Sequence, residues 1–325
     1  MTAARRILAR GRVRRFGRKA FERLLSATLV LWASATVTFF ALRLTPGDPV
    51  RAVLGGPTAN PTPETIAHAI KEFGLDQPLY VQYLLHLARL AQGDLGVSFS
   101  QHRPVLDVIA EQVGPTLILT VSAVAVAWGL ATASALATAR RHPLISGIGT
   151  TVETVLATIP HFWLALMLLA VFAFGLRWFP PQSGSTLSGL VLPTLALALP
   201  LAGFLGQVTR ESLDLALEQP FVLTARTRGL SDWSVRWRHA LRHAAAPGIS
   251  LSAWAIGALI GNAVLVEVIF SRPGLGRVLY EAVTVQDMPL TIGVTLVVTL
   301  IYIVSSLLVD LLQAALNPRL NERRK

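Results

Sequence analysis

The chain has 325 residues, of which 53% are hydrophobic and only 14% charged. Soluble domains carry about 25% charged residues, so this composition excludes an ordinary soluble globular protein and argues for a membrane one. The absence of cysteine excludes disulfide scaffolds, thiolate metal sites and thiol nucleophiles, while the net charge of +11 suits either nucleic acid or a membrane until its placement is known.

A spanning helix needs roughly 20 mostly apolar residues. Six segments meet this length: 24–44, 116–139, 150–176, 187–208, 249–270 and 290–316. The first follows a basic arm, as a signal peptide would. It is too long for a signal core, however, and Pro46-Gly47-Asp48-Pro49 follows it in place of a small-residue cleavage site. A retained first helix is expected. Loops rich in Arg and Lys stay in the cytoplasm, and 1–23, 140–141, 210–242 and 316–325 together hold 21 of the 29 basic residues. Segment 45–115 carries seven acids and a net charge of −3. Both termini are therefore expected in the cytoplasm. Topology accounts for the positive charge, and a nucleic-acid role has nothing left to rest on.

Loop 45–115 is long for a connector, and loops of that length are usually functional or folded. A short helix is predicted over 63–73, stopped by Gly74. A second is predicted over 77–91, where Tyr80, Leu84, Leu87 and Leu90 recur at helical spacing. On the other side lies loop 210–248. There Pro220 opens a short helix through Ala225 and Arg226, and Gly229 ends it. Ser231 then caps a second helix, with Asp232 in its first turn. Trp233, Trp237 and Leu241 follow at i, i+4 and i+8, flanked by Arg236, Arg238 and Arg242, and Pro247 closes the segment and starts the fifth span. Tryptophan and arginine are the residue types that dominate interface energetics. An interfacial helix lying on anionic lipid would share the same pattern, so periodicity alone leaves lipid and a protein partner both open.

The string Phe221-Val222-Leu223-Thr224-Ala225-Arg226-Thr227-Arg228-Gly229-Leu230-Ser231, followed by Arg238-His239-Ala240-Leu241-Arg242-His243 and Pro247, resembles the cytoplasmic "EAA" loop of bacterial ABC-importer permeases. It is most similar to the peptide and nickel branch. Further pieces lie in the same order along the chain: Leu44-Thr45-Pro46-Gly47-Asp48-Pro49, Gly74-Leu75-Asp76-Gln77-Pro78, Gly93-Asp94-Leu95-Gly96-Val97-Ser98, Pro160-His161-Phe162-Trp163, Glu267-Val268-Ile269-Phe270 with Pro273-Gly274-Leu275-Gly276, Asp287-Met288-Pro289, and Val309-Asp310-Leu311-Leu312 through Pro318-Arg319. Departures are Leu223, where the general signature has glutamate, Asn317 before Pro-Arg, and His161 at a small polar position.

The resemblance implies an all-α integral membrane protein with six transmembrane helices, the type I ABC importer permease fold, and a large extracytoplasmic loop between helices 1 and 2. Residues 1–115 would hold the basic arm, first helix and outer loop, and 116–325 the five-helix permease core with coupling loop 210–248. It further implies a bacterial inner-membrane location and a pair formed with a homologous permease. Two ATP-binding subunits or domains would bind ATP and Mg, and an extracytoplasmic solute-binding protein would deliver small peptides, nickel or opine-like metal chelates. Ala225, Arg226, Gly229, Ser231, Trp233, Arg236, Trp237, Leu241 and Pro247 would form the ATPase-coupling segment, and Asp48, Asp76 and Asp94 are candidates for docking the binding protein. No cofactor is expected on this chain. A phosphate-binding Gly-Lys-Ser/Thr loop is absent, since none of Lys19, Lys71 and Lys325 follows a glycine.

Charge inside a span costs roughly 2.5–3.5 kcal/mol at a helix centre, so each case needs a reason. Glu267, near the end of the fifth span, is expected to pair with Arg272, Arg277 or a companion subunit, with a place in the pathway as the alternative. Asp310 and Glu153 read as anchors near the inner leaflet. His161 follows Pro160, which frees a carbonyl one turn earlier. It would bond that carbonyl or line the pathway. Asn262 on the fifth span is a further pathway or inter-subunit candidate. Two other classes fit six spans less well. A rhomboid-like intramembrane hydrolase would need Gly-x-Ser-Gly within a span, and the nearest string is Ser183-Gly184-Ser185-Thr186 in a loop. An ion-coupled secondary transporter would be expected to show internal repeats with matching broken helices, and none is visible.

Overall fold

The computed structural model describes residues 2–45, 62–64, 66, 70, 76–184 and 186–316. Among these the regular structure is helical, apart from an isolated bridge between Val97 and Pro104. Among the described residues four helices are long and apolar enough to cross a membrane, and two bent pairs bring the number to as many as six. Packing divides the chain into two compact units, Met1–Leu106 with Ala282–Ile303, and Asp107–Glu281 with Val304–Lys325.

In the first unit, helix α1 (Thr2–Leu44) runs back from the apolar stretch through the basic arm, so the first helix is much longer than 24–44. Helix α2 (Leu79–Ala91) lies within the predicted 77–91. The helix expected over 63–73 falls largely outside the described residues. Phe39, Ala35 and Ile292 form a small buried core, with Tyr83 and Leu90 against it. Polar contacts brace it: Thr36 to the Tyr83 hydroxyl at 2.8 Å, Ser34 to Thr299 at 3.1 Å, and Arg43 to the Gln82 side chain. After α2 the chain turns on Gly93 and Gly96, both at φ near +80° (78° and 80°), a conformation costly for residues with a Cβ. Asp94 Oδ1 accepts the Gly96 amide at 2.8 Å and closes the turn.

The second unit holds the helices between residues 107 and 281. Helix α3 (Val105–Thr138) begins well before 116, and Pro115 is accommodated inside it. The third apolar segment departs most from expectation. It is not one helix over 150–176 but α4 (Pro143–Thr158) and α5 (His161–Leu168, continued as a π-helix over Leu169–Gly175), meeting at 99°. The cause is local. A residue before proline is pushed out of the helical region, and Ile159 sits at φ −69°, ψ 126°. Helix α6 (Leu187–Leu217) extends beyond 208 and is the most buried of the long helices, carrying Leu192, Leu197 and Leu205 in the core. It packs on α4, on α5 and on α8 (Leu241–Ile269). At Gly203 a Cβ would come within 2.5 Å of the Glu153 carbonyl oxygen and 2.6 Å of the Ala157 amide, so α6 and α4 meet backbone to backbone there. Pro247 lies inside α8 and does not open it. Helix α9 (Leu275–Thr284) precedes α10 (Met288–Leu316), the last long helix.

Candidate coupling surface and buried carboxylates

Between α6 and α8 the chain forms α7 (Pro220–Thr227), with proline in its first turn. Gly229, at φ +81°, makes the left-handed turn that ends it. Ser231 caps the next turn, accepting the Ser234 amide at 3.3 Å, and a π-helical stretch, Val235–Ala240, carries the chain directly into α8. Its wider winding breaks the simple i, i+4, i+8 face. Trp233 and Trp237 remain 58% and 52% exposed, whereas Leu241 is half-buried against the small core beneath.

Arg236 was expected on an exposed flank. It is instead only 3% exposed. Its Nε donates to Asp232 Oδ2 at 2.8 Å and its Nη1 to the Ala139 carbonyl oxygen at 2.7 Å, just beyond the end of α3. That carbonyl is one of the last four of a helix and lacks an intrahelical partner, so a cation satisfies both its hydrogen bond and the helix dipole. Asp232 also accepts Arg226 Nη2 at 2.9 Å, with Arg141 Nη2 at 3.9 Å. Burial pushes the Asp232 carboxyl up, but the hydrogen bonds and charges of Arg236 and Arg226 outweigh it and hold the group below the usual carboxylate range. Ala225 is buried with Leu213, Val222 and Val235 under this segment. The result is a braced ledge whose two indoles stand outward.

Glu267 and Glu153 are internal struts. Glu267 is fully buried; the Arg272 charge acts on it, but its hydrogen bonds come from elsewhere. It accepts the Thr116 hydroxyl at 2.7 Å, the Gly276 amide at 2.8 Å and the Arg277 amide at 3.2 Å. It thus serves as a remote cap for α9, closed in by Gly274, where any Cβ would collide with the carboxylate. Its side chain has no exposed surface. Glu153, also buried, pairs with Arg210 at 2.9 Å and accepts the Ser134 hydroxyl at 2.7 Å. His161 is half-buried at the start of α5. The Asn262 amide donates to the Ala258 carbonyl at 2.9 Å within α8. Asp76 and Asp94 are exposed, Asp94 being engaged in its turn, and Asp48 lies outside the described residues.

Residues 125–322 match the family described as the binding-protein-dependent transport system inner membrane component, and residues 17–120 match the N-terminal part of such a component. The chain belongs to this family. The permease is 35% identical over 300 residues to a glutathione transport system permease protein GsiC of Salmonella choleraesuis, covering 91% of this chain and 96% of the relative. It is 34% identical over 299 residues to the GsiC of Escherichia coli K12, with the same coverage. A solved structure of the MetNI methionine ABC transporter in an inward-facing conformation superposes with a TM-score of 0.51 at 15% identity, covering 65% of the permease and 96% of that chain. This is the type I ABC importer permease fold, and the protein is a permease subunit of a binding-protein-dependent ABC importer. The hydrolase and ion-coupled readings fall away.

The residues that sequence reasoning missed are Glu218 beside the ledge and Thr116 at the Glu267 strut. Their partners lie far away in sequence, so spacing carries no signal for them. The one local hint of the ledge's bracing was Asp232, six residues after Arg226 and four before Arg236.

Proposed function

We propose that this permease forms half of a translocation pathway for small peptide-like solutes, paired with a homologous permease and served by an extracytoplasmic binding protein. Both termini and loop 210–248 lie in the cytoplasm. ATP and Mg are bound by two partner ATPase subunits or domains, one of which receives Trp233 and Trp237. ATP binding closes the ATPases, the braced ledge moves with them, and the spans open outward to accept solute from the binding protein; hydrolysis resets the cycle.

The observation that carries this reading is the pairing of two outward indoles with a buried arginine that locks their support to α3. An interface needs rigid aromatic anchors on a fixed base, whereas a lipid-lying helix needs no such base. The peptide-like solute is supported by the GsiC relatives, whose named cargo is glutathione.

The test is retention of the ATPase subunit by purified complexes carrying Trp233→Ala or Trp237→Ala. Each substitution is expected to weaken docking by roughly 2 kcal/mol, with membrane insertion unchanged. A double variant that keeps its ATPase subunit and its solute-stimulated hydrolysis would sink the proposal. Native mass spectrometry of the binding protein identifies the solute it retains.

A further inference from the structure

Three successive residues just past α3 each hold the ledge at a different point. The Ala139 carbonyl accepts Arg236 Nη1 at 2.7 Å, Arg140 Nη1 meets Glu218 Oε1 at 2.6 Å, and Arg141 lies 3.9 Å from Asp232. Beneath them Leu136 and Ala139 are buried with Leu217 and Val235 in one apolar core. Helices α6 and α8 join the ledge through the backbone and follow it whatever the side chains do. Helix α3 has no such covalent link there. At the ledge its link runs through these contacts, while further along it packs on α6 and α8, where Trp128 Nε1 donates to the Ser252 hydroxyl at 3.0 Å.

The opposite part of α3 is held just as specifically. The Thr116 hydroxyl donates to Glu267 at 2.7 Å and accepts the Leu275 amide at 2.8 Å, with both groups buried. From Thr116 to Ala139 the chain is helical to Thr138 without a break. At 1.5 Å per residue that is about 35 Å of rod. One end carries the ledge and the other the junction of α8 and α9.

We propose that α3 moves with the ledge as one rigid body and carries its displacement to the Thr116–Glu267 junction. Arg236 is the positioning residue that joins them. This rests on the reading that the ledge docks an ATPase. Of the three contacts, the Arg236 one is buried, charge-assisted and bridges two groups, so it bears most of the connection. Arg140–Glu218 and Arg141–Asp232 are exposed pairs of the kind that contribute little on their own.

The chain has no cysteine, so engineered thiols are its own sole labelling sites, and they are labelled before the subunit is assembled with its partners. Ala137→Cys on α3 and Leu223→Cys on α7 are both exposed positions. With Arg236 in place, the distance between the labels is expected to stay the same in nucleotide-free and ATP-trapped complexes. In Arg236→Gln it is expected to shift or broaden on ATP trapping. Solute taken up per ATP hydrolysed should then fall by roughly tenfold, within the range seen for substitutions along coupled elements. Arg236→Lys, which keeps the charge but not the two-sided fork, should fall between. A label distance that changes with ATP while Arg236 is present overturns the proposal. So does an Arg236→Gln complex with an unshifted distance and an undiminished uptake ratio. If Arg236→Gln does not assemble, the measurement with Arg236 present decides alone. Failure of the docking reading shows up separately, as ATPase retention indifferent to Trp233 and Trp237.

Discussion

The Ser98 hydroxyl donates to Asp287 Oδ2 at 2.6 Å across 189 residues of sequence. Ser100 gives the same oxygen its amide at 2.9 Å and its hydroxyl at 2.8 Å, while Oδ1 accepts the Leu290 amide at 3.1 Å. One fully buried carboxylate therefore caps α10 and clamps the 98–100 turn. Asp287→Ala should destabilise the permease by about 3 kcal/mol, through loss of a cap and of charge-assisted bonds. Ser98→Ala should cost about 1.5 kcal/mol. Thermal unfolding in detergent gives the order, and a Ser98 effect larger than the Asp287 effect would refute the clamp.

Gly203 and Gly261 both sit in long helices but face different surroundings. A Cβ at Gly203 would strike the backbone of α4, whereas at Gly261 nothing lies within 4 Å. Gly203→Ala is therefore expected to cost about 2 kcal/mol by overpacking. Gly261→Ala should be neutral or stabilise by up to about 1 kcal/mol, through helix propensity. Midpoint temperatures of the two variants test the contrast. Equal shifts would mean that α4 and α6 do not touch as described.

Glu267 accepts hydrogen bonds from the Thr116 hydroxyl and two amides. In Glu267→Gln the side-chain NH2 would point at a donor, and the loss should be about 2 kcal/mol. Because the side chain has no exposed surface, solute preference in uptake competition should stay the same. A changed preference with unchanged stability would return Glu267 to the pathway.

His86 stacks on Phe39 with ring centroids 5.7 Å apart, and its Nε2 is buried without a partner. Burial first, and the charge of Arg89 second, push its pKa down. The native state thus favours the neutral ring. The stability this contributes is complete above the ordinary histidine value of about 6.5 and is lost as pH falls from there through the lowered value. Amide protection factors in α2, which are corrected for the intrinsic slowing of exchange in acid, should fall as pH drops below about 6.5. His86→Phe, which keeps a stacking ring, should remove most of that dependence.

The six apolar stretches and the punctuation of the ledge, Pro220, Gly229 and Ser231, were legible because they act through local rules of length, turn and cap. The elbow at Ile159–Pro160 was only half legible. Proline marks the break and pushes Ile159 out of the helical region, but the 99° between α4 and α5 is not a quantity that this local rule supplies. Pro247 shows the converse, since a proline inside an apolar run does not oblige the helix to start or stop there. The inward turn of Arg236 and the burial of Glu267 were not legible. Both depend on acceptors and donors supplied by α3, more than ninety residues away in each case (97 and 151). A charge at a span edge looks the same in sequence whether it meets water, lipid or a buried amide.

Between positions 220 and 243 Asp232 is the only acid, and Arg226 and Arg236 already occupy it. Arg228, Arg238 and Arg242 beside the indoles are exposed. Whatever seats itself on this ridge meets a cationic face with no free anion of its own. The mating polypeptide must then bring carboxylates around an aromatic recess, and its grip should loosen as ionic strength rises.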